Sequence, residues 1–243
     1  MNNKRINVII QARMGSVRLP GKVLMKIEDI PILEHIINRV KAVNDINEVI
    51  VATSTKHDDD TIVEFCDEKG ILCIRGSEDN VLERFGIASK EMPADIYIRA
   101  TGDNPMIDVK LIDNMLSFFI IRNLSYTCYK RFPLGCGVEI FTHYALSEAL
   151  EKADKPYELE HVTPYMYQRM FDGNIEYYVS DTDDSNIRMT IDTERDLLFA
   201  REVFRRLYHK NPLFGISEIK KLLEQEPSLK AINMDVRQKA LGE

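Results

Sequence analysis

Short apolar runs punctuate the first hundred residues of the chain. Residues 6–10, 48–52, 72–74 and 95–99 each read as a buried strand. Between them the spacing turns helical, over roughly residues 30–43, 59–69 and 79–90. In the first of these, Ile32, Leu33, Ile36, Ile37 and Val40 return at the repeat of one helix face. Strands alternating with helices at this pitch predict βαβ units and a mostly parallel α/β sheet. Such crossovers are right-handed, and ligands bind beyond the carboxyl ends of the strands.

Beyond about Pro105 the rhythm loosens. A helix is predicted over 108–120, then strands over 125–129, 137–141, 175–179 and 187–190. Helices over about 143–152 and 157–171 sit among them, and helices over 193–208 and 216–224 close the chain. Residues from about 125 to 180 read as an inserted lobe or a dimer arm. No internal repeat, low-complexity tract or Pro/Gly/Ser-rich linker interrupts the sequence, so residues 1–243 are expected to fold as one unit.

Composition narrows the function classes. Hydrophobic residues make up 44% and charged residues 29%, as in ordinary globular proteins. The net charge of −7 disfavours a non-specific nucleic-acid partner, because such binding depends on neutralising phosphates. A local basic cluster remains able to hold a small phosphate. No apolar run approaches the ~20 residues that a bilayer span needs. The run after Lys4 and Arg5 is too short for a signal peptide. A cytoplasmic protein with no membrane partner is the expectation. Cys66, Cys73, Cys128 and Cys136 form no C-x-x-C pair and no common zinc spacing, so four free, mostly buried thiols are expected.

The strongest chemical signal follows the first strand, in Gln11-Ala12-Arg13-Met14-Gly15-Ser16-Val17-Arg18-Leu19-Pro20-Gly21-Lys22. Arg13, Arg18 and Lys22 sit beside two glycines and a proline. Free backbone N–H groups at a strand's carboxyl end form an anion nest. Arginine adds planar, bidentate phosphate recognition and lysine a point charge. The loop is not a Walker A motif: five residues separate Gly15 from Gly21, and Val23 follows Lys22 where Ser or Thr is required. A solvated surface loop is the bland alternative. Its place after the first strand of an α/β chain favours phosphate binding.

A second signal is Arg99-Ala100-Thr101-Gly102-Asp103-Asn104-Pro105, after the fourth strand. A strand, then Gly-Asp, then Pro places a carboxylate at the sheet's edge. An Asx turn or helix cap is the competing role, which Asn104 or Asp108 fills equally well. A third is Arg188-Met189-Thr190-Ile191-Asp192-Thr193-Glu194-Arg195-Asp196. There Thr193 and Asp196 read as a helix-capping box, which leaves Asp192 to face a site. Magnesium binds one or two carboxylates together with substrate phosphates, and Asp103 with Asp192 suits that set.

These segments resemble the sugar-acid cytidylyltransferases. QARMGSVRLPGKVL is similar to that family's P/Q-A-R-x-x-S-x-R-L-P-G-K signature, Gly102-Asp103-Asn104-Pro105 to its Gly-Asp-x-Pro, and Ile191-Asp192-Thr193 to its V-D-T-P-E-D-L. Members include the CMP-Kdo synthetases and acylneuraminate cytidylyltransferases. Likeness is greatest to the spore-coat polysaccharide and flagellin-modification branch, and it runs from Ile6 to about Leu197. The resemblance implies a Rossmann-like mixed, mostly parallel sheet flanked by helices, of the nucleotide-diphospho-sugar transferase type. It implies a homodimer formed through the middle lobe. Arg13 and Lys22 would contact the triphosphate of CTP, with Ser16 and Arg18 shaping the loop. Asp103 and Asp192 would hold Mg2+. Arg13, Lys22, Asp103 and Asp192 are thus the candidate catalytic set. Nucleotide-binding candidates are Ala12, Arg13, Gly15, Ser16, Arg18, Lys22, Arg75, Ser77, Asp79 and Thr101, and Arg84 joins them. Arg75 to Arg84 resembles the family's R-G-S-E-D-D-V-L-x-R, although Ser77 capping a helix explains the acids there without any ligand.

The acceptor side departs from the family pattern. Glu139 matches a Gly-x-x-Val-Glu segment near the acceptor, but Gly137 stands where Asp is common. Glu160 and His161 match R-E-H-V-T-P-Y, but Leu159 replaces the basic residue. Lys130 and Arg131 are alternative cations for an acceptor carboxylate. The expectation is CMP transfer from CTP to a small anionic acceptor, a sugar acid of 3-deoxy-ulosonate or nonulosonate type, with release of pyrophosphate. A phosphorylated non-sugar acceptor is one alternative. A glycosyltransferase using a nucleotide sugar is another, with Asp181-Thr182-Asp183 as its candidate D-x-D. A sugar-phosphate sensor without turnover is a third.

Overall fold

The computed structural model describes residues 4–170 and 172–238. In chain order the elements are β1 (Ile6–Gln11), β2 (Lys26–Ile27), β3 (Ile30–Pro31), α1 (Ile32–Lys41), β4 (Glu48–Ser54), α2 (Asp60–Lys69), β5 (Leu72–Gly76), α3 (Val81–Glu91), β6 (Ile96–Thr101) and α4 (Val109–Ile121). Then come β7 (Tyr126–Thr127), β8 (Tyr129–Lys130), β9 (Glu139–Thr142), α5 (His143–Lys152), α6 (Pro156–His161), α7 (Pro164–Gln168), β10 (Tyr178–Val179), α8 (Glu194–Leu207) and α9 (Ile216–Gln225).

Six strands form one sheet in the order β5-β4-β1-β6-β9-β7. The first four are parallel, and β9 runs antiparallel to β6 and to β7. The order reverses direction at β1, whose neighbours β4 and β6 lie on opposite sides. A crevice therefore opens beyond the carboxyl ends of β1 and β6, where such sheets bind ligands. Both faces are covered. Val8, Ile10, Val51 and Ile98 pack toward the layer containing α1, α2, α4, α8 and α9. Ile9, Ile50, Ala52 and Tyr97 pack toward α3, α5, α6 and α7. Burial on both faces explains why these strands read as continuous apolar runs rather than alternating ones.

Within residues 125–180, β7 and β9 extend the main sheet, while β8 and β10 pair in a separate two-stranded sheet. Several boundaries differ from expectation for local reasons. The helix predicted from residue 30 starts at Ile32, because Ile30 and Pro31 pair with Ile27 and Lys26 in a hairpin. The helix predicted over 157–171 is two helices. Val162 between them takes φ 70°, and Pro164 lacks the N–H needed to continue the ladder. Its last residue, Phe171, lies outside the described residues. The strand predicted over 187–190 is a single bridge between Arg188 and Leu134, because the segment it pairs with turns at Gly135, φ 87°. Asn80, not Ser77, caps α3: its side chain accepts from the Glu83 N–H at 2.9 Å. Asp108 caps α4, and Thr193 with Asp196 forms the capping box of α8. The four cysteines are free, with Cys66 and Cys136 buried.

Candidate active site

Register places Gln11 of β1 opposite Thr101 of β6, so the loops after the two strands leave the sheet side by side. The Gly102 N–H donates to the Gln11 carbonyl at 2.8 Å. A Cβ on residue 102 would stand 3.0 Å from the Ala12 Cβ and 3.1 Å from that carbonyl, so this approach needs glycine. The first loop is folded back on itself. The Met14 carbonyl accepts from Ser16 N–H at 2.8 Å and Gly21 N–H at 2.9 Å, and Gly21 turns the chain at φ 70°. The Asp59 carboxylate takes the Met14 N–H at 2.6 Å and anchors the loop to the start of α2. This closure returns Lys22 to the mouth of the sheet.

Lys22 is buried, and its ammonium bridges the two distant aspartates. Nζ donates to Asp103 Oδ2 at 2.8 Å, Asp192 Oδ1 at 2.9 Å and the Ile191 carbonyl at 2.6 Å. Burial works against the charge, but Asp103 and Asp192 outweigh it and raise the lysine pKa above its usual value. Burial likewise opposes ionisation of Asp192. Lys22, Arg18 and Arg188 prevail and hold its carboxyl below the usual range. Asp192 Oδ2 meets Arg18 at 2.9 Å and Arg188 at 2.7 Å. Asp103 Oδ1 accepts from Thr101 Oγ1 at 2.6 Å. No group of three or more His, Cys, Asp or Glu side chains among the described residues is placed to hold a metal ion. The two carboxylates flank the Lys22 ammonium; a pair of aspartates beside a basic loop is nevertheless the kind of oxygen donor set that Mg2+ takes when it binds with a nucleotide.

A family model described as cytidylyltransferase matches residues 7–238. The chain belongs to the cytidylyltransferase family. An uncharacterised protein of Methanocaldococcus jannaschii is 39% identical over 97% of both chains. The spore coat polysaccharide biosynthesis protein SpsF of Bacillus subtilis is 34% identical over 90% of this chain and 94% of its own. A cytidylyltransferase structure from Leptospira borgpetersenii superposes with a TM-score of 0.88 at 29% identity, covering 98% of this chain and all of that one. The chain is therefore a CTP-dependent nucleotidyltransferase, and its sheet is that of its structural neighbours. No helix among the described residues is long and apolar enough to cross a membrane.

In this cytidylyltransferase the crevice is a cavity of about 720 Å³. Ala12, Arg13, Ser16, Arg18, Lys22, Thr101, Asp103 and Asp192 line it, together with Glu160 and His161 of α6. Arg13 lies 3.8 Å from Glu160 and 3.9 Å from Glu78. Arg84 also lines the cavity. Burial, then the nearby Arg13 charge, push its pKa down to about 10, so it remains a cation at neutral pH. Burial, with the Arg99 and Arg13 charges, lowers the pKa of His161, which is therefore neutral near pH 7.

Other expected residues lie elsewhere. Gly15, Arg75, Ser77, Asp79 and Glu139 do not line the cavity. Arg75 braces the β4–α2 connection, bonding Asp60 at 2.6 Å and the Ser54 and Lys56 carbonyls at 2.9 Å each. Ser77 Oγ accepts from the Asn80 N–H at 3.1 Å. Glu139 sits one layer behind the cavity, where it receives Arg99, Tyr126 and Thr163. Lys130 lies over the Tyr177 ring, and Arg131 is 3.9 Å from Asp183. That aspartate of the D-x-D string accepts from Ser185, away from the cavity. A second hollow of about 670 Å³, among Leu19, Met25, Leu197 and Leu198, holds no pair of carboxylates.

The sequence pointed to no site role for Arg99, Tyr129 or Thr190, and to a turn or cap role for Asn104, yet all four line the cavity. The signal for Arg99 was present. It is the one cation in an otherwise apolar β6, opposite the one acid of β9.

Proposed function

We propose that this cytidylyltransferase moves CMP from CTP onto a hydroxyl of a sugar acid of 3-deoxy-ulosonate or nonulosonate type, with release of pyrophosphate. One observation carries the reading: Asp103 and Asp192 converge on Lys22 at the mouths of β1 and β6, beside a loop bearing Arg13 and Arg18. The acceptor hydroxyl oxygen forms a bond to the α-phosphorus and gives up its proton to solvent, the α–β anhydride bond breaks, and pyrophosphate leaves with the electron pair. Arg13, Arg18 and Lys22 hold the triphosphate and offset the charge gathering on the leaving group. Asp103 and Asp192 are the residues that would hold Mg2+, which when bound neutralises phosphate charge.

The far end of the cavity receives the acceptor. There Arg99, held by Gln11 at 2.8 Å and by Glu139, supplies a fixed guanidinium for a carboxylate. His161 and the Tyr129 phenol flank it along the cavity wall. Positioning both reactants removes the entropic cost of their encounter. The reading extends to a cytoplasmic homodimer joined through residues 125–180, where Tyr144, Leu150 and Val179 are exposed. Sedimentation velocity tests the dimer.

The reaction is tested by pyrophosphate release with CTP, UTP, GTP and ATP in turn, with magnesium, against sugar acids and phosphorylated acceptors. Release that requires CTP and one sugar acid is expected. Release with a phosphorylated acceptor and not with any sugar acid would move the reaction to that class. Tight CTP binding with no release from any pair would favour a sensor.

A further inference from the structure

The C-terminal segment reaches back to the same aspartate. Arg188 is 7% exposed, and each of its three guanidinium nitrogens has a partner. Nε meets Asp196 Oδ1 at 2.8 Å. One terminal nitrogen meets Asp192 Oδ2 at 2.7 Å and Asp196 Oδ2 at 3.3 Å. The other donates to Gln238 Oε1 at 2.6 Å, fifty positions along the chain. A planar guanidinium has a fixed fork, so a partner on one nitrogen sets the direction of the others. Gln238 thereby bears on the carboxylate of Asp192 without touching it.

The segment that delivers Gln238 is fastened by polar contacts to the same hub. The buried Asn233 donates to the Arg188 carbonyl at 3.1 Å and to Asp196 Oδ1 at 3.0 Å. Arg195 holds the Ile232 carbonyl at 2.6 Å and Asp235 at 2.7 Å. Arg18, which pairs with Asp192, also reaches the Arg237 carbonyl at 3.4 Å. Gln238 itself lines the cavity.

We propose that Arg188 and Gln238 are positioning residues for Asp192, and that the segment 233–238 serves to bring Gln238 to the cavity wall that Asp192 also lines. The proposal rests on the assignment of Asp192 to the magnesium–CTP site. Gln238 is exposed and neutral, so replacing it does not endanger the core. A single hydrogen bond at such an exposed position corresponds to roughly a three- to tenfold change in an equilibrium.

The test is CTP binding by calorimetry on the full-length protein, once with magnesium and once with EDTA, for wild type, Gln238→Met and Gln238→Glu. Methionine fills the same space without an acceptor, and glutamate keeps one. Magnesium–CTP affinity is expected to fall about three- to tenfold in Gln238→Met and to return toward wild type in Gln238→Glu, while affinity in EDTA and Tm barely move. Equal loss with and without magnesium would make Gln238 a general contact and overturn the proposal, as would wild-type affinity in Gln238→Met. Arg188→Lys, which keeps the charge but not the fork, should show a larger loss of the same magnesium-dependent kind. If wild type itself bound CTP no better with magnesium, the magnesium–CTP assignment would fail first. Magnesium-enhanced binding in wild type and Gln238→Met alike would remove only the role of Gln238.

Discussion

The two ends of the cavity are built in opposite ways. At the end proposed for the phosphates, two loops leave neighbouring parallel strands and carry Arg13, Arg18, Lys22 and Asp103 close behind β1 and β6, while Asp192 arrives from a distant segment. At the acceptor end, Arg99 of β6 is held by Glu139 of β9, which is held in turn by Tyr126 and Thr163, and α6 supplies His161. The proposed phosphate end is local in its two loops and long-range only at Asp192 and its partner Arg188, whereas the proposed acceptor end is a network throughout. A local device tolerates change elsewhere in the chain, so one phosphate-binding end can serve many acceptors. A network changes specificity when any member changes.

The largest effects should come from the phosphate end. Asp103→Asn and Asp192→Asn are each expected to lower kcat by roughly a hundred- to a thousandfold with the fold intact, measured as pyrophosphate release at saturating magnesium. Asp192→Asn should also lower Tm, because buried Lys22 and Arg188 lose a counter-charge. Near wild-type rates in both would end the assignment. Lys22→Ala is expected to weaken CTP use by about ten- to a hundredfold, the scale of a hydrogen bond to a charged group. It should also lower Tm, because Asp103 and Asp192 then lose the cation between them. If acceptor KM rose instead of CTP KM, the division of the cavity into two ends would be misdrawn.

Smaller effects sharpen the other side. Arg99→Ala should raise acceptor KM by about tenfold and leave CTP binding intact. Glu139→Gln should do the same more weakly, because it loosens Arg99 without removing it. CTP affinity that fell in step with acceptor KM would show that Arg99 serves the nucleotide. The smallest effect concerns pH. Burial lowers the pKa of His161 from its model-compound value of 6.5, so above that pH both the folded and the unfolded chain carry it neutral. As pH falls through 6.5, the unfolded chain takes up a proton that the folded chain resists, and stability is lost toward acid. His161→Asn should therefore lose less Tm between pH 7 and pH 5 than wild type does. An identical acid-side slope would mean that His161 is not desolvated.

Legibility followed the same division. The alternation of apolar runs and helical spacing located β1, β4, β5 and β6 to within a few residues, because both faces of these strands are buried and little but apolar residues fits them. The glycine loop and Asp103 were legible because residue types suited to phosphate and magnesium stand directly after strands, and Asp192 because it stands just before the capping box of α8. Glu139 was legible as an unusual acid in an apolar strand, but not its partner. The Arg99–Glu139 pair depends on β9 running antiparallel beside β6, which no local spacing encodes. The break between α6 and α7 was missed although Pro164 marks it, because the apolar repeat continues through Val162 and Tyr165.

By itself, the sequence determined the α/β class, the parallel strands and the chemistry carried by the loops, since periodicity and residue type act over a few positions at a time. Only the tertiary structure decided that Lys22 stands between two aspartates from distant segments, that Arg99 and not Glu139 faces the cavity, and that Gln238 returns to Arg188. Those arrangements depend on strand order and on how the chain closes. They are set by the packing of the whole core and not by any one stretch of it.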